Sequence, residues 1–180
     1  DNTFIGRSAG YWNDNDNEGE ATGNDNTFIG NEAGNGNKDG DKNTFVGDDA
    51  GRSNMTGHEN TFIGQSAGYS NVNGKHNIFI GVSTGQANTG PPTQDPADED
   101  KGNKNIFIGN NAGYSNETGH QNIFLGDRAG YSNETGIKNT FIGTNAGENN
   151  DNDDQGEATG DSNTFIGYEA GLNNRDGDNN

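Results

Sequence analysis

NTFIGQSAGYSNVNGKH, residues 60–76, is one copy of a phrase that restarts nine times in 180 residues, at Asn2, Asn26, Asn43, Asn60, Asn77, Asn105, Asn122, Asn139 and Asn163. The intervals are 24, 17, 17, 17, 28, 17, 17 and 24 residues, so a 17-residue unit is the rule and the departures are insertions of 7, 11 and 7. A fixed period of this length marks an array in which each unit covers only its neighbours. Residues 1–180 therefore read as a single repeat array, with the insertions at about 14–20, 89–99 and 151–157.

Composition alone argues for a disordered chain: the net charge is -18, only 24% of residues are hydrophobic and 31 are Gly. The repeat reverses that prior, because the apolar residues return at one place in every unit, where stacking merges them into a continuous core. There is too little apolar material for one central globule, so an elongated object is expected. The absence of Cys excludes disulfides, thiolate metal sites and a Cys nucleophile. No apolar run is long enough to cross a membrane as a helix, and none of these 180 residues is expected to act as a signal peptide. With 10 Lys and Arg against 28 Asp and Glu, the surface repels phosphates, so cations suit it and nucleic acid does not.

By position, the unit is N-[TI]-F-[IVL]-G-x-x-A-G-x-x-N-x-x-G-x-x, with Asn at 1 and 12 and Gly at 5 and 9 in all nine copies; position 8 is Ala except at Thr84. Gly at fixed offsets brackets stretches of three to five residues, which predicts two short strands per turn rather than helices. Positions 2–4 are the clearest strand, since Thr, Ile and Phe favour extended backbone. Side chains alternate across a strand, so Phe at position 3 points away from positions 2 and 4, and both faces are apolar. With the Ile row inside the coil, Phe4, Phe28, Phe45, Phe62, Phe79, Phe107, Phe124, Phe141 and Phe165 form an outer stripe. Nine rings at about 150 Å² would expose on the order of 1,300 Å², more than a soluble monomer tolerates, so a second copy should cover them. The converse packing, Phe inside and Ile outside, also leads to association through the other stripe. A coil wide enough for both rows is the third arrangement, though Gly and Ala offer little to fill it. Asn at 1 and 12 should stack in amide rows about 4.8 Å apart, making a rod of roughly 40 Å. Its open ends carry unpaired strand edges, as expected of an excerpt from a longer array.

The NTFIG-x-x-AG-x-x-N-x-x-G unit resembles repeats of large bacterial surface proteins and phage-type tail fibres. It is similar, more loosely, to the head repeats of trimeric autotransporter adhesins, whose units are shorter and carry smaller residues at the Phe position. What the resemblance implies is a parallel β-roll or β-prism, an all-β solenoid of three chains about a common axis, extracellular or on a cell surface or virion, serving as fibre, stalk or adhesive head.

The insertions are the least repetitive segments and the expected binding elements. All enter after position 12. Asp14, Asp16, Glu18 and Gly19, and again Asp151, Asp153, Gln155 and Gly156, stand in the D-x-D-x-[EQ]-G order of a calcium loop. The closing position, twelfth in the loop, holds Asp25 in the first and Ser162 in the second, and solvated acidic turns without an ion are the competing reading. No other cofactor is called for. The fifth-unit insertion, with Pro91, Pro92, Pro96, Asp95, Asp98, Glu99 and Asp100, reads as an extended loop. Asn54, Asn116 and Asn133 lie in N-x-T and are candidate N-glycan acceptors, although Asn occupies that position in every unit. His58, His76 and His120 fall in turns without a fixed acidic or Ser partner, and the carboxylates do not converge, so no enzyme is expected. Trp12, Tyr11, Tyr69, Tyr114 and Tyr131, at positions 10 and 11, either pack the corner or stack on surface glycans. Thr at position 2 makes a row of the kind that binds ice, interrupted at Ile78, Ile106 and Ile123. The expected role is thus a self-associating segment of an extracellular fibre or adhesin. Calcium or glycan binding through the acidic loops ranks second, and ice binding a distant third.

Overall fold

The structure is a computed structural model that describes residues 1–13, 23–91, 98–150, 160–174 and 177–180. It is a parallel β-solenoid. Each unit forms one coil with one three-residue strand: Thr3–Ile5 (β1), Thr27–Ile29 (β2), Thr44–Val46 (β3), Thr61–Ile63 (β4), Ile78–Ile80 (β5), Ile106–Ile108 (β6), Ile123–Leu125 (β7), Thr140–Ile142 (β8) and Thr164–Ile166 (β9). The strands form one nine-stranded sheet in chain order, every pair parallel and in register, with Phe opposite Phe throughout.

The expected second strand is absent among the described residues. Positions 6 to 11 cannot stay extended because positions 7 and 9 both take left-handed backbone, as at Ser66 (φ 55°) and Gly68 (φ 59°). The segment is nevertheless bonded from coil to coil. In coil 4 the amides of Gly64, Ser66, Gly68, Ser70 and Val72 donate to Val46, Asp48, Thr84, Gln86 and Thr89 at 2.8–3.2 Å. The ladder therefore runs round the whole contour and leaves the turn backbone satisfied.

The phenylalanines are the interior row, which corrects the reading of them as an outer stripe. Phe28, Phe45, Phe62, Phe79, Phe107, Phe124 and Phe141 are fully buried inside a single chain, while Phe4 and Phe165 are partly open because each has a neighbouring coil on one side only. Consecutive rings stack with centroids 4.6–5.1 Å apart and planes within 3–14° of parallel. The opposite wall explains the choice. A Cβ on Gly68 would lie 2.5 Å from two carbons of the Phe62 ring, so the coil is just wide enough for a phenyl ring against Gly at 9 and Ala at 8. Ile at that site would leave a void, and burying each ring contributes roughly 2–3 kcal/mol. Thr84, the one departure from Ala, is also buried, and its hydroxyl donates to the Gly109 carbonyl at 2.7 Å.

The asparagines form the polar half of the core. At position 12, each Nδ2 donates to the Oδ1 of the preceding coil's asparagine at 2.6–3.1 Å, from Asn13 through to Asn174. The same nitrogen also donates to the glycine carbonyl at position 15 of its own coil, at 2.7–3.0 Å. At position 1, each backbone N–H donates to the preceding asparagine's Oδ1 at 2.8–3.0 Å, and Asn180, 17 residues after Asn163, donates to Asn163 in the same way. Among the described residues no buried side-chain polar atom lacks a partner. A net 0.5–1.5 kcal/mol per bond makes the amides weaker drivers than the rings. Their unmade bonds would cost more, so they set register.

Non-glycine residues also occupy left-handed backbone, at position 7 (Ser8 to Glu169) and position 17 (Asp25 to Asn179) of every coil. That conformation costs an L-residue about 1–2 kcal/mol. At Ser83 (φ 52°) glycine would relieve it, offset in part by the freer unfolded chain. Ser83→Gly is expected to raise the melting midpoint by about 2 °C in a thermal scan followed by circular dichroism.

Candidate functional site

With Phe inside, positions 2 and 4 face outward along β1 to β9. Ile63 and Leu125 are 39% and 42% exposed, Ile29, Ile78, Ile106 and Ile123 are comparable, and the threonines between them are half-buried or exposed. Positions 1 to 5 carry no charged residue in any coil. The result is a flat, uncharged strip on a chain of net charge -18, about 38 Å long with two ranks of side chains about 7 Å apart. Eighteen side chains, twelve of Ile, Val or Leu and six of Thr, at roughly 55 Å² each expose on the order of 1,000 Å², about two-thirds of it aliphatic, at the upper end of the largest apolar patches of typical monomers.

The candidate glycan acceptors are corrected by the same geometry. Asn54, Asn116 and Asn133 are wholly buried, and the amide nitrogen that would carry a sugar makes two hydrogen bonds inside the coil. Their N-x-T context is a by-product of position 12 being Asn in every unit.

Of the candidate calcium ligands, Asp14, Asp16, Glu18, Asp151, Asp153 and Gln155 lie outside the described residues, as do Pro92, Asp95 and Pro96. Asp25 is exposed and accepts from the N-terminal amine at 3.0 Å. Among the described residues no group of three His, Cys, Asp or Glu side chains is arranged to hold a metal. The flanks of the insertions do fall at one corner. Asn13 bonds Gly23, Asn88 bonds Gly102 and Asn150 bonds Gly160 just as Asn54 bonds Gly57 in an uninterrupted coil. The Phe79 and Phe107 rings remain 4.9 Å apart across the longest insertion.

His58, His76 and His120 lie in the irregular segments that lead into the strands, but His76, read from the sequence as lacking a fixed acidic partner, has an acidic partner in Glu59. His58 and His76 meet edge to face at 5.8 Å, and His76 Nδ1 lies 3.1 Å from a Glu59 carboxylate oxygen. Burial holds His58 below its ordinary pKa, and the Lys75 ammonium adds to that. The corner at positions 10 and 11 is aromatic and cationic. Tyr114 and Tyr131 stack at 5.0 Å, and the Arg128 guanidinium sits 4.6 Å above Tyr131 while paired with Glu148. Across coils 2 to 4, Arg52 bonds the Tyr69 hydroxyl at 2.9 Å and Glu32 at 2.8 Å. Burial raises the pKa of the adjoining Asp49 carboxyl despite the opposing pull of Arg52.

The chain matches no protein-family description, no curated protein and no solved structure. Among the described residues no helix is long and apolar enough to cross a membrane. The outer strip was foreseen only in the converse packing. The signal that selects it is Gly at position 9, which leaves ring-sized space opposite position 3.

Proposed function

We propose that the chain is a structural segment of an extracellular fibre or surface adhesin, self-associating through the outer strip of positions 2 and 4. The observation that carries this is a regular, charge-free apolar face on an otherwise strongly acidic rod. Its accessible area is of the order of the roughly 800 Å² that each partner contributes to a standard-size interface. A second copy is the occupant that fits: its ranks repeat at the same coil spacing, so side chains of one strip can seat between those of the other along the full length. Two copies packed face to face, or three about a common axis as in the proteins the repeat resembles, both satisfy the strip. The positions that border the strip are nearly balanced in charge, but repulsion between two chains of net charge -18 opposes pairing and is screened beyond about 8 Å at physiological salt, so association should tighten as salt rises.

Sedimentation velocity tests this. The wild-type chain is expected to sediment as a dimer or trimer at micromolar concentration. Ile63→Glu combined with Leu125→Glu, both on the exposed rank, should give monomers with an unchanged circular dichroism spectrum. A wild-type chain that stays monomeric across salt and concentration would refute the reading.

A further inference from the structure

A groove of about 580 Å³ crosses the position 10 to 13 corner of coils 1 to 4, away from the strip. Its volume is in the range of small-ligand sites. Departures from the repeat build it. Coil 1 carries Tyr11 and Trp12, coil 2 has Gly36 where the others have a side chain, and coil 3 has Arg52 and Met55. Gly36 therefore leaves a notch beside the indole. A Cβ there would lie 2.8 Å from the Arg52 carbonyl oxygen, so this notch cannot readily be filled.

The two ends of the groove are aromatic. Trp12 is 45% exposed, set edge to face against Tyr11 at 4.9 Å, and its backbone N–H bonds the Asn35 carbonyl at 3.0 Å. Tyr69 is three coil steps along, about 14 Å. Between them stands Arg52, fixed by Tyr69 and Glu32, with its Nε 3.6 Å from Asp49 and its guanidinium carbon 5.7 Å from the Tyr69 ring centre. The site thus offers the exposed Trp12 indole, which can stack on the C–H face of a pyranose. It also offers planar polar groups held rigid by one another, which suit vicinal hydroxyls.

We propose that this groove binds a neutral oligosaccharide, stacked on Trp12 at one end and bonded at its hydroxyls by Arg52 and Lys38, with Tyr69 holding Arg52 in place at the other end. Charge selects a neutral ligand over an acidic one. Among the described residues, the only charged ones lining the groove are Arg52 and Lys38; Arg52 is already paired outside the lining with Glu32 and Asp49, and the chain as a whole, at -18, repels anions. The length between the aromatic ends fits a short chain of sugars rather than one ring. The groove lies apart from the strip, so its occupancy is independent of self-association.

Trp12 is the only tryptophan, so its emission in the full chain reports on this site alone. The probes are neutral cello-, xylo-, manno- and malto-oligosaccharides of three to six units, with oligogalacturonate as the acidic counterpart. A saturable emission change is expected with at least one neutral series. Arg52→Gln should weaken it roughly tenfold or more, as expected for losing a charge-assisted hydrogen bond. Tyr69→Ala should weaken it too, whereas Tyr131→Ala, on the same corner of coil 7, should not. Calorimetry with Trp12→Ala should show no binding, with melting curves confirming that each variant is folded. Absence of a response to every neutral series, tighter binding of oligogalacturonate, or affinity unchanged in Arg52→Gln and Tyr69→Ala would each overturn the proposal.

Discussion

Gly81→Ala is expected to lower the melting midpoint of the 180-residue chain by more than 10 °C, and Gly167→Ala by only a few degrees. Both glycines hold position 5 and share nearly the same backbone, with φ of 138° and 130°. The strain of placing an L-residue there is common to both, about 1–3 kcal/mol. They differ in what lies beyond. A Cβ on Gly81 would stand 2.5 Å from the Gly109 carbonyl oxygen and 2.7 Å from its carbon, and that backbone cannot retreat without opening the ladder. The corresponding atom on Gly167 meets only the Ala170 Cβ, at 4.0 Å. Crowding adds about 1–3 kcal/mol more at Gly81, against a total stability of about 5–15 kcal/mol. Thermal melts of the two variants would separate backbone strain from coil-to-coil contact. Equal losses would mean that the close approach of neighbouring coils is not what requires glycine at this position.

Asn71→Leu is expected to be comparably damaging although it keeps the branched heavy-atom skeleton and adds apolar character; its methyl groups are also bulkier than the amide they replace, which adds strain in a close-packed coil. Asn71 donates to Asn54 Oδ1 at 2.9 Å and to the Gly74 carbonyl at 3.0 Å, and accepts from Asn88 Nδ2 at 2.8 Å. Leucine would leave Asn54 Oδ1 and one N–H of Asn88 buried without partners. The Gly74 carbonyl would keep its bond from Asn60 at 2.8 Å. Two stranded groups at about 1–3 kcal/mol each outweigh the gain from an apolar side chain. The same change at Asn174, half-buried at the end of the column, should cost much less. Denaturant melts decide the matter: a loss under about 1 kcal/mol at Asn71 would mean that water reaches the column.

The solenoid, its register and its two amide columns could all be read from the spacing of Asn, Phe and Gly, because those residues recur where stacking demands them. The direction of the strand could not be read from the strand itself, since Phe on one face and Ile on the other satisfy alternation either way. Gly68 and its equivalents held the answer, being shaped to the ring they face. The missing second strand had no such signal. Left-handed turns at Glu32 or Arg128 are imposed by inter-coil bonds on residues with no preference for them. Asn54, Asn116 and Asn133 misled for the opposite reason, since a surface motif was spelled by residues whose place is in the core.

The bonds between coils run along the rod, so a pull on its two ends meets them one coil at a time. Once the last coil, that of β9, peels away, its 17 residues extend by roughly 50 Å before the next ladder bears the load. An assembly of such rods would lengthen by unreeling under tension rather than snap. The stacked rings and amides beneath each released turn would remain as the template on which it winds back.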